Sequence, residues 1–355
     1  MKRILKRVFL AAVALAVCAV IAGFLFQQVA NWRDGRRFPQ QGKSVYLAPE
    51  FPDVLLNLDC SGSGTPTVIM DSGLGVPAVG WYQAQPEIAK FTRVCSYDRA
   101  GYGWSTPGPM PRTTDQIVKE LHALLVNSGE KGPYVFLAHS FGGYNVRVYT
   151  ARYPNDVAGL VLVDTSHEDQ ASRFTPGLQK FMAEETAKLK TASKFAPVLI
   201  YSGLARVTTG LDSPVTVSVD KRREFRYLEL QTKYVAATSS EMLNFDQSAT
   251  QVRQAGNLGD RPLIVLTAGK ISDEGIPKNL AQEMHAFHDL WVNDLQVKEA
   301  HLSTRGEQII VPDSDHMIPI EQPQFIINAT QEVVSAVRTA AASTAPAPFA
   351  PHHTP

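Results

Sequence analysis

The sequence predicts an α/β protein, with a mostly parallel sheet covered by helices on both faces and a helical insertion in its second half. Three observations predict it. Short apolar, β-branched runs alternate with amphipathic helical patterns between residues 44 and 339. Two strand-like runs, "TVIM" and "RVCSYD", end in the Gly-rich loops "DSGLG" and "RAGYGWS", and loops after strands are where such sheets carry their chemistry. A third run, Tyr134 to Ala138, passes through a very short turn holding Ser140 into a helix that lasts until Pro154.

Residues 1–37 read as a segment outside the fold. Lys2, Arg3, Lys6 and Arg7 precede an uncharged apolar run of 19 residues, Val8 to Phe26, and Arg33, Arg36 and Arg37 follow it. Its length favours a retained membrane anchor, since a span needs about 20 residues and a signal core about 7–15. Val20 and Ala22 nevertheless offer a small-residue cleavage pair, so a signal peptide stays open. The basic cluster before the run is expected to stay cytoplasmic, which sends the rest of the chain across the membrane.

The core is expected over 44–164 and 261–339. In its first part, Thr113 and Gln116 fit a capping box. Ile117, Val118, Leu121, Leu124 and Leu125 share one helical face, and Gly129 supplies the stop. At the Ser140 elbow Gly142 removes a Cβ that would meet the neighbouring turn, while the helix beginning there aims free N–H groups at the serine oxygen. Residues 165–260, 96 in all, are too many for a loop; "GLQKFMAEETAKLK" and "KRREFRYLELQTKYVAATSSEMLNF" read as helices. Met182, Phe195, Leu204, Leu230 and Tyr234 are candidates to line a pocket there, although residues packing the insertion would look the same. The strands "RPLIVLTAG" and "QIIV" and a helix from Pro323 complete the core, and 340–355 read as a disordered Ala/Pro-rich tail.

Lys plus Arg and Asp plus Glu number 34 each, so no net charge favours nucleic acid or another polyanion as partner. No cofactor or metal is expected. His285 and His288, three apart, lack a carboxylate or cysteine ligand set and read as a solvated helix face, and His352 and His353 lie in the tail. Of the nine histidines, His316 follows a strand in a polar loop before the Pro323 helix, while His167 sits just after a strand where it could line a pocket. Cys18 lies in the apolar run; Cys60 and Cys95 close two strand-like segments and are either buried thiols or a disulfide formed in an oxidising compartment.

"AHSFGG" resembles the nucleophile elbow of the α/β-hydrolase superfamily, with Ala138 in place of the first Gly. The resemblance extends over roughly residues 50–338, through "DSGLG", "YDRAGYGWS" and the late His in "VPDSDHMIPIEQP". It implies the α/β-hydrolase fold, with 165–260 as a helical cap over the site. It implies Ser140 as nucleophile and His316 as general base, with the Phe141 and Leu74 amides forming the oxyanion hole. Ser72 stands where the family usually has His, which leaves the hydrogen bonding inside that loop unassigned. The family's strand order makes the strands bearing Cys60 and Cys95 neighbours and so implies their disulfide. Two residues compete for the triad acid. Asp273 follows "LIVLTAG", the commoner address, but one residue late; Asp164 ends the strand "GLVLVD" on a better-fixed strand tip and is favoured. The activity implied is serine hydrolysis of an ester or related acyl bond in a small-molecule substrate. C–C bond hydrolysis or peptide hydrolysis on the same triad stays open, as does a membrane-tethered binding protein without turnover.

Overall fold

The computed structural model describes residues 1–210, 217–271 and 275–344. Among them a single eight-stranded sheet runs in the order β1-β2-β4-β3-β5-β6-β7-β8. Its strands are β1 (Lys43–Tyr46), β2 (Leu55–Ser61), β3 (Val68–Asp71), β4 (Val94–Tyr97), β5 (Tyr134–His139), β6 (Val157–Val163), β7 (Leu263–Ala268) and β8 (Gly306–Val311). β1 pairs antiparallel with β2 and β2 antiparallel with β4, while every other pairing is parallel. Strands β3, β4, β5 and β7 are buried at every residue, which is why they read as unbroken apolar runs rather than as an alternation.

The helices are α1 (Lys2–Arg37), α2 (Ala84–Ile88), α3 (Thr114–Ser128), α4 (Gly142–Arg152), α5 (Pro176–Tyr201), α6 (Leu204–Thr208), α7 (Val219–Glu229), α8 (Thr232–Leu243), α9 (Phe245–Arg253), α10 (Ala281–Leu290), α11 (Gln296–Ala300), α12 (Ile318–Glu321) and α13 (Pro323–Thr344). Because side chains alternate along a strand, the sheet feeds two cores. Phe136, Ala138, Leu160, Leu162 and Val265 meet Ile117 and Leu121 of α3 and Tyr144 and Val148 of α4 on one face. Val135, Leu137, Val161, Val163 and Leu266 meet Ile326, Ala329 and Val333 of α13 on the other. Helices α5 to α9 fill the interval between β6 and β7. Cys60 and Cys95 face each other in the register of β2 and β4 and are joined by a disulfide.

Three expectations need correction. Residues 1–37 are not wholly outside the fold: α1 is one continuous helix, and Gln27, Ala30 and Asp34 are buried because Arg206 of α6 reaches among them. Residues 340–344 are not tail, since α13 runs through the good helix formers "TAAAST" and the first helix-breaking residue after them is Pro346. At α3, Thr113 occupies the N-cap and Gly129 (φ 78°) ends the helix, but the Thr113 side chain accepts no capping bond and Gln116 donates to Glu120 instead.

Candidate active site

Ser140 sits between β5 and α4 with φ 53°, and Asp164, directly after β6, has φ 43°; among the described residues no other non-glycine has a positive φ. Such conformations cost on the order of 1–3 kcal/mol and persist only where the surroundings impose them. At Ser140 they do. Its N–H donates to the Val163 carbonyl at 3.1 Å, and its own carbonyl accepts from the N–H groups of Gly143 at 3.0 Å and Ser166 at 3.1 Å. A Cβ on Gly142 would lie 2.5 Å from the Asp71 carbonyl oxygen, and one on Gly143 would strike the Thr165 side chain, so the turn closes only with glycine at both positions. Ala138, the departure from the family pattern, is fully buried in β5 between Asp71 and Leu162.

His316 follows β8 and stands beside the elbow. Its Nε2 is 2.9 Å from Ser140 Oγ and its Nδ1 is 2.6 Å from Asp164 Oδ2. The second oxygen of Asp164 accepts from Trp291 Nε1 at 2.8 Å and from the Ala268 N–H at 3.0 Å, which fixes the carboxylate plane. Burial opposes ionisation of Asp164, but the bond and charge of His316, with the Trp291 and Ala268 donors, outweigh it and hold the carboxyl below its usual range. For His316, burial disfavours the charged ring, yet the bond and charge of Asp164, helped by Asp315, raise it above an ordinary histidine. Asp273 lies outside the described residues.

His139 holds the base from behind. Its Nε2 donates to the His316 carbonyl at 2.8 Å, and the two ring centroids are 4.7 Å apart. Burial, aided by the neighbouring His316 charge, pushes His139 down to about 3, so it stays neutral and adds no second cation beside the base. His167 is buried away from the cavity, its Nδ1 accepting from the Asp169 N–H at 3.0 Å.

Leu74 and Phe141 both line the cavity that Ser140 opens into, and neither amide donates to a backbone carbonyl among the described residues. The hydrogen bonding left unassigned around Ser72 is supplied from outside the loop. Arg99 donates to the Ser72 carbonyl at 2.6 Å, the Gly73 carbonyl at 2.9 Å and Asp71 Oδ1 at 2.9 Å. Its guanidinium also forks onto Glu241 of α8 through two bonds of 3.0 Å. Tyr102 joins the network, donating to Glu241 at 2.6 Å and accepting from the Gly75 N–H at 3.1 Å. Arg99 and Tyr102 lie within the quoted "YDRAGYGWS"; Glu241 had no sequence signal, because its partner is 142 residues away.

The cavity measures about 820 Å³. Apolar side chains from the insertion and from α10 dominate its wall, among them Phe174, Met182, Met242, Phe245 and Phe287. Of the pocket candidates read from sequence, Met182 lines it, whereas Phe195 and Leu204 are exposed and Leu230 is buried. Tyr234 instead donates to the Gly75 carbonyl at 2.7 Å. His288, read as solvated, faces the cavity, with Nε2 3.2 Å from the Ala268 carbonyl. The one close group of ligand-type side chains among the described residues is Cys60, Cys95 and Glu130, whose sulfurs are already joined to each other.

Comparison with known proteins agrees with this architecture. The uncharacterized protein YqjL of Bacillus subtilis is 35% identical over 130 residues, which is 37% of this chain and 49% of that protein, so this match spans about half of that relative. The uncharacterized protein YbdG of the same organism is 26% identical over 346 residues, covering 95% of this chain and 98% of its own. A thermophilic esterase from Thermogutta terrifontis superposes with a TM-score of 0.57 at 20% identity, over 84% of this chain and 99% of that one. The family model described as the alpha/beta hydrolase fold matches residues 66–334, and with the sheet order above it makes this chain a member of the α/β-hydrolase family.

Proposed function

We propose that the protein is a serine hydrolase that cleaves an ester or related acyl bond through an acyl-enzyme. The observation that carries this reading is the unbroken line from Ser140 Oγ through His316 to Asp164, opening on a largely apolar cavity. His316 Nε2 takes the Ser140 proton as Oγ attacks the substrate carbonyl carbon, and Asp164 keeps the ring in the tautomer that leaves Nε2 free to accept it. The oxygen that becomes negative is received by the Leu74 and Phe141 amides. On collapse, the proton on Nε2 passes to the departing alkoxide; the same nitrogen then draws a proton from water as that water attacks the acyl carbon, and when the bond to Ser140 Oγ breaks Nε2 returns that proton to Oγ and the acid is released. Epoxide and haloalkane opening on this fold rely on a carboxylate nucleophile, which an oxygen of serine does not replace. A substrate with an acyl chain suits the wall of Phe, Met and Leu side chains.

A fluorophosphonate probe tests the reading directly. Ser140 is expected to carry the label, and Ser140→Ala to lose both the label and turnover of p-nitrophenyl esters. Full labelling of that variant, or an unlabelled parent without turnover on a series of acyl lengths, overturns the proposal.

A further inference from the structure

Helix α1 and the insertion share a surface at one particular depth. The apolar run of α1 ends at Phe26, and Gly23, the first residue of the helix that is not exposed, packs on the insertion roughly 4.5 Å inside that end at the helical rise. Gly23 touches the Ser202 carbonyl with no room for a Cβ, and a Cβ on Gly203 would lie 2.8 Å from the Gly23 carbonyl and 3.0 Å from the Phe26 ring. Beyond this crossing, Arg206 donates to Gln27 at 3.0 Å, Asn31 at 2.7 Å and Asp34 at 2.5 Å. The contact therefore begins at two glycines and the Phe26 ring and continues among polar side chains, as a helix does where it leaves hydrocarbon for headgroups.

At that same place the insertion turns apolar side chains to the outside. Phe195 (61% exposed) and Val198 (66%) lie at the end of α5, and Val207 (71%) lies on α6. On the same stretch of α5 stand the exposed Lys188, paired with Glu185, then Lys190, and Lys194 directly before Phe195. A run of bare apolar side chains bordered by lysines, continuous with a helix of the length and hydropathy of a span, matches the chemistry of a lipid surface. The first half of α5 belongs to the cavity wall, through Gln179, Met182, Ala183 and Thr186. Met182 and Val198 are about 24 Å apart along one helix.

We infer that the end of α5 and α6 lies in the headgroup and acyl boundary of the bilayer that holds α1. The substrate, on the serine hydrolase reading above, is then a lipid-borne acyl compound that reaches Ser140 along α5.

The test uses the full chain, with Cys18→Ser, in phosphatidylcholine and phosphatidylglycerol vesicles. An environment-sensitive fluorophore is attached at Val198→Cys, at Val207→Cys, or at Ser335→Cys, an exposed control on α13, which packs beside the start of β6. Doxyl-labelled lipid is expected to quench the first two positions and not the third. Equal quenching at all three, or none at 198 and 207, as when a second copy of the chain covers this face, overturns the inference. In parallel, Val198→Asp with Val207→Asp is expected to slow hydrolysis of a vesicle-dissolved oleoyl ester about tenfold or more while leaving a water-soluble acetyl ester unchanged; equal effects on both overturn the lipid route. A parent inactive on both esters overturns the hydrolase reading instead, and the quenching still decides the docking.

Discussion

Asp164 and His316, 152 residues apart in the chain, meet in a hydrogen bond of 2.6 Å. The Asp164 backbone is in the left-handed region, which asparagine tolerates well, so Asp164→Asn is expected to fold. An amide at that position offers an N–H to Nδ1 where the carboxylate accepts one, which pins the ring in the tautomer whose Nε2 carries hydrogen. Turnover of a short-chain ester is expected to fall on the order of 10³–10⁴ in kcat, whereas Asp273→Asn should cost less than about tenfold. Measuring kcat for both variants decides between them, and the opposite ranking would move the acid to Asp273.

The pH profile follows from the same pair. Nε2 can accept the Ser140 proton only from a neutral ring, so kcat/KM falls as pH drops through the His316 pKa. Asp164 and Asp315 both raise that pKa, and His139 stays neutral beside it, so the acid limb is expected above the ordinary histidine value of about 6.5. Asp164→Asn removes the carboxylate with the larger effect on His316 and is expected to shift the limb to lower pH in its residual activity. An acid limb well below about 6 in the parent, or one that stays put in the variant, would contradict this account.

Much of this arrangement is legible in the sequence, and the remainder has physical reasons for being hidden. The Ser140 elbow can be read because it ends β5, a strand buried at every residue, whereas the His316 loop follows the half-exposed β8 and is legible mainly through the family resemblance of its motif. The acid is ambiguous because Asp164 and Asp273 both follow strands in the order Ser, acid, His, and the donors from Ala268 and Trp291 that hold Asp164 lie more than 100 residues away in the chain. The cavity wall is hidden for another reason: on a helix over an open site, residues of one composition face cavity, core or solvent, as Met182, Leu230 and Phe195 do. The burial of Gln27 and Asp34 in α1 depends on one arginine in α6, 172 residues from Asp34.

The Cys60–Cys95 bond closes a loop with a sequence separation of 35 and ties the antiparallel strand β2, which carries the edge strand β1, to β4 at the margin of the parallel sheet. Chain-entropy arguments give about 3–4 kcal/mol for such a loop. Replacing both cysteines with alanine is expected to lower stability by about that amount in denaturant titration while ester turnover in the folded protein is kept. Two free thiols in protein recovered from an oxidising compartment would show that the bond does not form there.

Arg99 offers the sharpest test of how the loop before Leu74 is held. Its guanidinium is 2% exposed and shared between Asp71, Glu241 and the carbonyls of Ser72 and Gly73, so those carbonyls are fixed on one side of the loop and the Leu74 N–H, which shares a trans peptide with the Gly73 carbonyl, points to the opposite side. Arg99→Lys keeps a positive charge near the two buried carboxylates, so neither is stranded, but an ammonium cannot reproduce the planar fork that meets five acceptor oxygens at once. The variant is expected to fold with reduced stability. If the Leu74 amide stabilises developing charge, the loosened loop should lower kcat about 10- to 100-fold with little change in KM, because the lost contact is made in the transition state and not with the bound ester. A rise in KM at constant kcat would place Arg99 in substrate binding through α8 and the insertion instead. Glu241→Gln separates the two further: it keeps Arg99 on the loop carbonyls while weakening its tie to α8, and is therefore expected to affect kcat less than Arg99→Lys does.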